Sequence, residues 1–276
     1  MNKEENYIEI NKKSWNAATP YNVDSEFYNM PAFLEGKSSL NEIELKLLGD
    51  VRNKRILHLQ CHFGQDSISL ARMGATVTGV DFSDKAISKA EEIACLTGVD
   101  ATFVCCDVYS LRDYLEGEFD IVFTSYGTIG WLPDLGKWAK IISDYLKPSG
   151  YFVFAEFHPV VWMFNEDLSQ ITYSYFNERA IIETAEGTYA AKSAPISNEI
   201  ISWNHNIGEV LSSLISNGLE ITSFEEYDYS PYNCFNNMLE QEPGRFRING
   251  FKSMLPLVYS LKATKKEYLR HLTYTA

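Results

Sequence analysis

Cations are scarce in this chain of 276 residues: 24 Lys and Arg stand against 37 Asp and Glu, a formal charge of −13. Binding a nucleic-acid backbone or an anionic membrane surface needs clustered positive charge, and no long Lys/Arg cluster occurs, so neither partner is expected. No apolar run reaches the roughly 18 residues of a membrane helix. The opening MNKEENYIEINKKSW has no apolar core, so it does not read as a secretory signal. Cysteine is sparse and odd in number (Cys61, Cys95, Cys105, Cys106 and Cys234), which fits reduced thiols in a cytoplasmic protein. His58, Cys61 and His62 lie close together, but there is no C-x-x-C pair and no H-E-x-x-H, and adjacent Cys105 and Cys106 on a strand point to opposite faces. No metal site is read. The serine-hydrolase elbow G-x-S-x-G and the phosphate loop G-x-x-x-x-G-K-S/T are also missing.

The composition does provide a core and many rings: 45% of residues are hydrophobic and 14% aromatic, with 17 Tyr and 16 Phe. From residue 55 onward short apolar runs alternate with helical patterns. RILHL, ATVTGVD, ATFVCCD, FDIVFTS and YFVFAEF read as five strands. Ser83 or Asp84 and then Asp134 are placed to cap the helices between them. Continuous apolar strands separated by helices imply parallel βαβ units covered on both faces, an α/β doubly wound open sheet. A short helix precedes them in SLNEIELKLLG. After the fifth strand the rhythm breaks. Residues 157–205 hold two strand-like runs, ITYSYFN and RAIIETAEGTYA, and form an insertion. The helix IGEVLSSLISNGL, the strand EITSFEEY, an irregular stretch at 228–250 and a last strand LPLVYSLKATK follow. Residues 1–39 read as an N-terminal arm whose aromatics pack on the domain at 40–276.

Ligands of such sheets sit beyond the carboxyl ends of the strands. The first strand ends in Gln60-Cys61-His62-Phe63-Gly64, the second at Asp81, the third at Asp107, the fourth at Ser125-Tyr126-Gly127 and the fifth at Glu156-Phe157-His158. Asp81 suits a ribose diol, although an aspartate there also suits a helix cap. Asp107, one strand further, suits the amino group of an adenine. The first turn has a single glycine, whereas a pyrophosphate needs several for close backbone approach. A nucleoside ligand without phosphates fits better.

These segments together resemble the class I S-adenosylmethionine-dependent methyltransferases over about residues 40–160, and again from the helix at 207 to the closing strands. That family opens with an acidic residue, a hydrophobic residue and G-x-G-x-G. HLQCHFG sets His58 at the acidic position, Gln60 and His62 at two glycine positions and Gly64 at the third. VTGVDFS resembles the second-strand motif and VCCDV the adenine segment; FDIVFTSYG and KPSGYFVFAEF resemble the fourth and fifth strands. LQCHFGQDS also resembles a small-molecule subgroup with this polar replacement. The resemblance implies a mostly parallel seven-stranded sheet with an antiparallel last strand. It implies S-adenosyl-L-methionine as cofactor, held by His58, Gln60, His62, Gly64, Asp81, Phe82, Asp107, Val108 and Ser125. The acceptor is expected to be a small molecule, since no N/D-P-P-Y/F run follows the fourth strand.

Methyl transfer by in-line displacement demands alignment and exclusion of water more than acid–base groups. His158 is the candidate base, with a structural turn role equally open, and Tyr126 is the candidate for orienting the acceptor. A nicotinamide-dependent oxidoreductase and a non-catalytic nucleoside-binding module are the alternatives. Residues 157–205 and the arm are expected to cover the acceptor side. Their aromatics would equally suit a subunit interface, which leaves a homodimer open.

Overall fold

The computed structural model describes residues 3–251 and 253–266; residues 1–2 of the arm, Lys252 and the final 267–276 of the domain lie outside the described residues. In chain order the elements begin with α1 (Tyr7–Val23), α2 (Met30–Leu34) and α3 (Glu42–Leu48). The alternating part runs β1 (Arg55–Leu59), α4 (Gln65–Arg72), β2 (Thr76–Asp81), α5 (Asp84–Thr97), β3 (Thr102–Cys105), β4 (Phe119–Ser125), α6 (Leu135–Tyr145) and β5 (Leu146–Phe157). The hairpin β6 (Ile181–Glu186) and β7 (Ser197–Ser202), α7 (Ile207–Ser216), β8 (Leu219–Tyr227), the hairpin β9 (Met238–Glu242) and β10 (Arg245–Ile248), and β11 (Val258–Lys265) complete it.

The main sheet has seven strands in the order β3-β2-β1-β4-β5-β11-β8. The first five are parallel, and β11 runs antiparallel between β5 and β8. The pleat divides the core. Leu57, Leu59, Val122, Phe152 and Phe154 pack under α6 and α7 with Trp138 and Tyr145. Ile56, Val77, Ile121, Phe123 and Val153 face the other way, toward Leu48 and Leu70. Burial on both faces explains why these strands are continuously apolar. Caps set the helix starts: the Ser83 hydroxyl accepts from Ala86 N at 3.1 Å, Asp134 from Lys137 N at 3.0 Å and Asn206 from Glu209 N at 2.9 Å. Strand order reverses between β1 and β4, so a crevice opens beyond their carboxyl ends. Among the described residues no helix is long and apolar enough to cross a membrane.

Three regions differ from the sequence reading. The stretch 228–250, expected to be irregular, holds the β9–β10 hairpin. The arm is helical, and α1 lies against β7: Asn11 donates to Ile201 O at 2.8 Å and accepts from Ile201 N at 2.9 Å. An asparagine amide thus substitutes for a neighbouring strand at that edge. ITYSYFN forms no strand; its one β contact is the isolated bridge Phe164↔Ile171, whereas the second inserted run does pair, as β6 with β7.

Candidate active site

The β1–α4 turn keeps the backbone of a glycine turn while carrying side chains. Gln60 and His62 have φ of 55° and 51°, in the left-handed region where glycine is usual. Backbone bonds hold them there: Cys61 N donates to Val80 O and His62 N to Asp81 Oδ2, both at 2.9 Å. Gln60 Nε2 donates to Thr128 O at 2.8 Å, and His62 Nδ1 lies 3.2 Å from the Tyr28 hydroxyl. Gln60 Oε1 and His62 Nε2 are buried beside the cavity without a partner. Gly64 also lines the cavity and has φ of 78°, but its main constraint lies behind it. An added Cβ would fall 2.7 Å from the Phe103 ring and 2.9 Å from Ala90 Cβ. This glycine lets α4 settle onto the sheet.

Asp81 is buried on the wall at the end of β2. Its Oδ2 holds His62 N and its Oδ1 holds Ser83 N, each at 2.9 Å. Burial outweighs these donors and pushes the carboxyl up to about 6. Each oxygen retains a lone pair for another donor. Phe82 and Ser125 line the same cavity. His58 forms part of the floor, its Nδ1 2.8 Å from Ser67 Oγ; burial lowers it to about 4 against the opposing pull of Asp66.

Three expected residues stand elsewhere. His158 is not on the cavity wall: beyond the sheet its N donates to Leu257 O, and its Nε2 sits 2.8 Å from Glu226 Oε1 on β8. Its Nδ1 accepts from Val160 N at 3.2 Å, so the ring ties a turn to the sheet edge. Val108 is core, packed under α6. Asp107 starts the short turn after β3, half-buried and outside the wall, near enough to Tyr7 of α1 to help raise that phenol. Glu156 does reach the cavity but is fully engaged. It accepts from the amides of Gly127, Thr128, Ile129 and Phe157, and so organises the loop after β4.

Sequence reasoning missed Glu44 and Asp66. Asp66 accepts from Ser39 Oγ at 2.6 Å and Ser125 Oγ at 3.1 Å. Glu44 accepts from Asn41 N at 2.6 Å and from the Tyr126 hydroxyl at 2.8 Å. Burial, with Asp66 nearby, raises Glu44 to about 7. Tyr126 lines the cavity at φ of 45°, its phenol pushed well up by burial and the Glu44 charge. A signal for Glu44 existed: it lies on the Leu40–Ile43–Leu47 face of its helix, where an acid is out of place.

The cavity has a volume of about 1210 Å³. Its cover comes from three stretches: Trp15 of α1 and Tyr28 of the turn between α1 and α2, Trp162 and Tyr189 from 157–205, and Tyr232 and Phe235 from 228–250. The last stretch was not expected to take part. The wall is acidic, with Asp81 and Glu156 buried, Asp66 half-buried and Glu26, Glu166, Glu183 and Glu186 exposed; Lys37 is its basic member among the described residues. That balance repels a pyrophosphate and suits a ligand with a positive centre. S-adenosylmethionine has a sulfonium, an ammonium and a ribose diol, so the residues present fit it. Asp81 has free lone pairs for the hydroxyls, and Gln60 Oε1 is an unpartnered buried acceptor.

The methyltransferase-domain family model matches residues 56–150. A ubiquinone biosynthesis O-methyltransferase of Shewanella pealeana is 30% identical over 189 residues, spanning 68% of this chain and 71% of that protein. An uncharacterized methyltransferase of Synechocystis is 34% identical over 133 residues, covering 47% of this chain and 59% of its own length. Among solved structures, a methyltransferase of Methanosarcina mazei superposes with a TM-score of 0.57 at 21% identity, over 83% of this chain and 99% of that one. One from Mesorhizobium loti gives 0.56 at 20%, over 84% and 100%. These likenesses carry the fold, and none of them favours the nicotinamide alternative. The chain belongs to the class I S-adenosylmethionine-dependent methyltransferases, and S-adenosylmethionine is its methyl donor.

Proposed function

We propose that the acceptor is a small, largely apolar molecule methylated on a hydroxyl oxygen, bound under a cover built by the N-terminal arm, residues 157–205 and residues 228–250. The observation that carries this is a cavity of about 1210 Å³, polar around Asp81 and Gln60 and aromatic beneath the cover. Small-molecule pockets usually span about 300–1,000 Å³, so this one has room for a nucleoside and a second molecule. The acidic exposed rim and the charge of −13 disfavour a nucleic-acid acceptor. The choice of oxygen is supported by the O-methyltransferase names of several relatives.

In this reading Asp81 accepts the ribose hydroxyls, and Gln60 and His62 meet the amino-acid end. Phe82 and Ser125 complete the wall. The bound donor supplies an activated methyl group on a cationic sulfur. The chain aligns the acceptor, and the rings of Trp15, Trp131 and Tyr189 shut water out. Asp107 and Val108 lie outside the cavity lining, so this reading makes no use of them. Labelled S-adenosylmethionine offered with a panel of phenols, alcohols, amines and thiols tests the reading. Label should pass to hydroxyl-bearing members. Transfer only to nucleic acid or protein, or only to amines, would overturn it.

A further inference from the structure

The cavity wall is wired to a proton acceptor that cofactor binding does not require. Glu44 Oε1 accepts from Asn41 N at 2.6 Å and from Asn41 Nδ2 at 3.0 Å, closing a capping box at the start of α3. The cap leaves Oε2 unexplained. That oxygen takes the Tyr126 hydroxyl at 2.8 Å. Tyr126 borders the cavity and Glu44 does not, so the phenol links a carboxylate behind the wall to whatever lies in front. Tyr126 N is tied to Ala155 O at 2.7 Å and its ring stands edge-on to Tyr232, at 5.1 Å and 83°, which fixes the hydroxyl in place.

We infer that Tyr126 and Glu44 form a proton relay that deprotonates the acceptor hydroxyl as it is methylated. The inference rests on the hydroxyl-acceptor reading above and adds the group that takes the proton. The acceptor O–H bond breaks and its proton goes to the Tyr126 oxygen, while the Tyr126 proton passes to Glu44 Oε2. The acceptor oxygen forms its bond to the methyl carbon as the carbon–sulfur bond breaks, and sulfur keeps that electron pair. Tyr126 ends neutral and Glu44 ends protonated, to lose its proton to solvent before the next turnover.

The surroundings decide when Glu44 is charged. Asp66 on α4 faces it, with the hydroxyls of Tyr126 and Tyr232. On the sheet side of α3, Tyr151 of β5 and Lys262 of β11 bond to the carbonyls of Leu48 and Leu47, at the far end of the helix. Burial and Asp66 therefore hold Glu44 at about 7, where a general base works near neutral pH.

Two measurements test the relay. The first needs no acceptor: infrared difference spectra of the ligand-free protein across pH. The parent should show a protonated-carboxyl band that vanishes through pH of about 7, above the Asp81 band that vanishes near 6, and Glu44→Gln should lack the former and keep the latter. No such band at neutral pH would overturn the proposal. The second uses catechol as the probe acceptor. The parent's kcat should rise through pH of about 7. Glu44→Gln and Tyr126→Phe should lose roughly 10²–10⁴-fold in kcat, with the KM for S-adenosylmethionine unchanged and the pH dependence flattened. A folded Glu44→Gln enzyme with the parental kcat and profile would sink the relay while leaving the hydroxyl reading intact. Methylation of an amine or thiol probe with catechol and alcohols refused would instead defeat the hydroxyl reading, and the relay with it.

Discussion

Trp15 of α1 stands edge-on to His62 of the first turn, their ring centroids 5.1 Å apart and their planes at 72°. The same indole meets Trp131 at 5.4 Å and 80°. One N-terminal side chain thus touches both loops that frame the crevice. Asn16, next to it, accepts from Ser83 Oγ at 2.7 Å and donates to Asp84 at 2.9 Å, so α1 is tethered to the start of α5. A cover fixed at this point slows exchange of whatever lies beneath it. Trp15→Ala should weaken S-adenosylmethionine binding about tenfold, or about 1.4 kcal/mol, mainly through faster dissociation. Stopped-flow displacement measures this directly, and an unchanged off-rate would make α1 simple packing.

Asp81 yields a pH prediction. Hydrogen bonds from ribose hydroxyls need the carboxylate, and burial has raised this group to about 6. Affinity for S-adenosylmethionine should be flat above neutrality and fall roughly tenfold per pH unit well below that value. Stability moves the opposite way. Between the unfolded value of 3.8 and about 6 the folded state binds more protons, so Asp81 favours folding more as the pH drops through that window. Asp81→Asn should flatten the binding profile in calorimetry and weaken binding at pH 8 by roughly 1.5–3 kcal/mol. Full affinity in this variant would remove Asp81 from the site.

The left-handed turn separates strain from contact. A non-glycine residue at φ of 55° is strained by about 1 kcal/mol, which Gln60→Gly would relieve. The lost bond to Thr128 O is worth about 1 kcal/mol in the other direction. The variant should therefore melt within a few degrees of the parent while binding the cofactor more weakly, because the unpartnered Oε1 is gone. Tight binding by a stable Gln60→Gly protein would show that the side chain contributes only to the fold.

The parallel half of the sheet was legible because its strands are short apolar runs bounded by capping residues and glycines, as at Ser83 and Gly98. That Tyr126, Gln60 and His62 border the cavity was legible because they stand at strand ends. Glu44 was not legible, since it stands on α3, a helix that precedes the first strand and so ends no strand. The helical arm was hidden by its chemistry: α1 buries Asn11, Thr19 and Asn22 and contains Pro20, so it shows no apolar stripe. Of the two roles open for His158, the geometry matches the turn role, because a place on the cavity side required the strand to continue beyond Phe157. The chain instead leaves the sheet there, with Val161 N bonded back to His158 O. ITYSYFN alternates like a strand, yet alternation cannot supply a partner, and hairpin pairing went to β6 and β7.

Glu44 offers the last test, on stability alone. Its folded value of about 7 lies above the usual 4.5, so the folded state holds an extra proton between those values. Its contribution to stability is greatest below 4.5 and declines as pH rises through 7, where a buried charge must be carried. The full loss is at most roughly 3 kcal/mol at pH 8. His58 and His62 act in the opposite sense: burial lowers them to about 4 and 3, so their contributions grow as pH rises toward the ordinary histidine value of 6.5. The parent's own profile is therefore partly flattened, and only a difference isolates Glu44. In Glu44→Gln the amide still accepts from Asn41 N, which preserves the capping box, and it donates to Tyr126 instead of accepting. Urea denaturation at pH 5 and pH 8 should show near-equal proteins at the lower pH. At the higher pH the variant should be more stable, by up to about 3 kcal/mol. A gap that stays constant between the two would mean that Glu44 titrates as an ordinary surface acid.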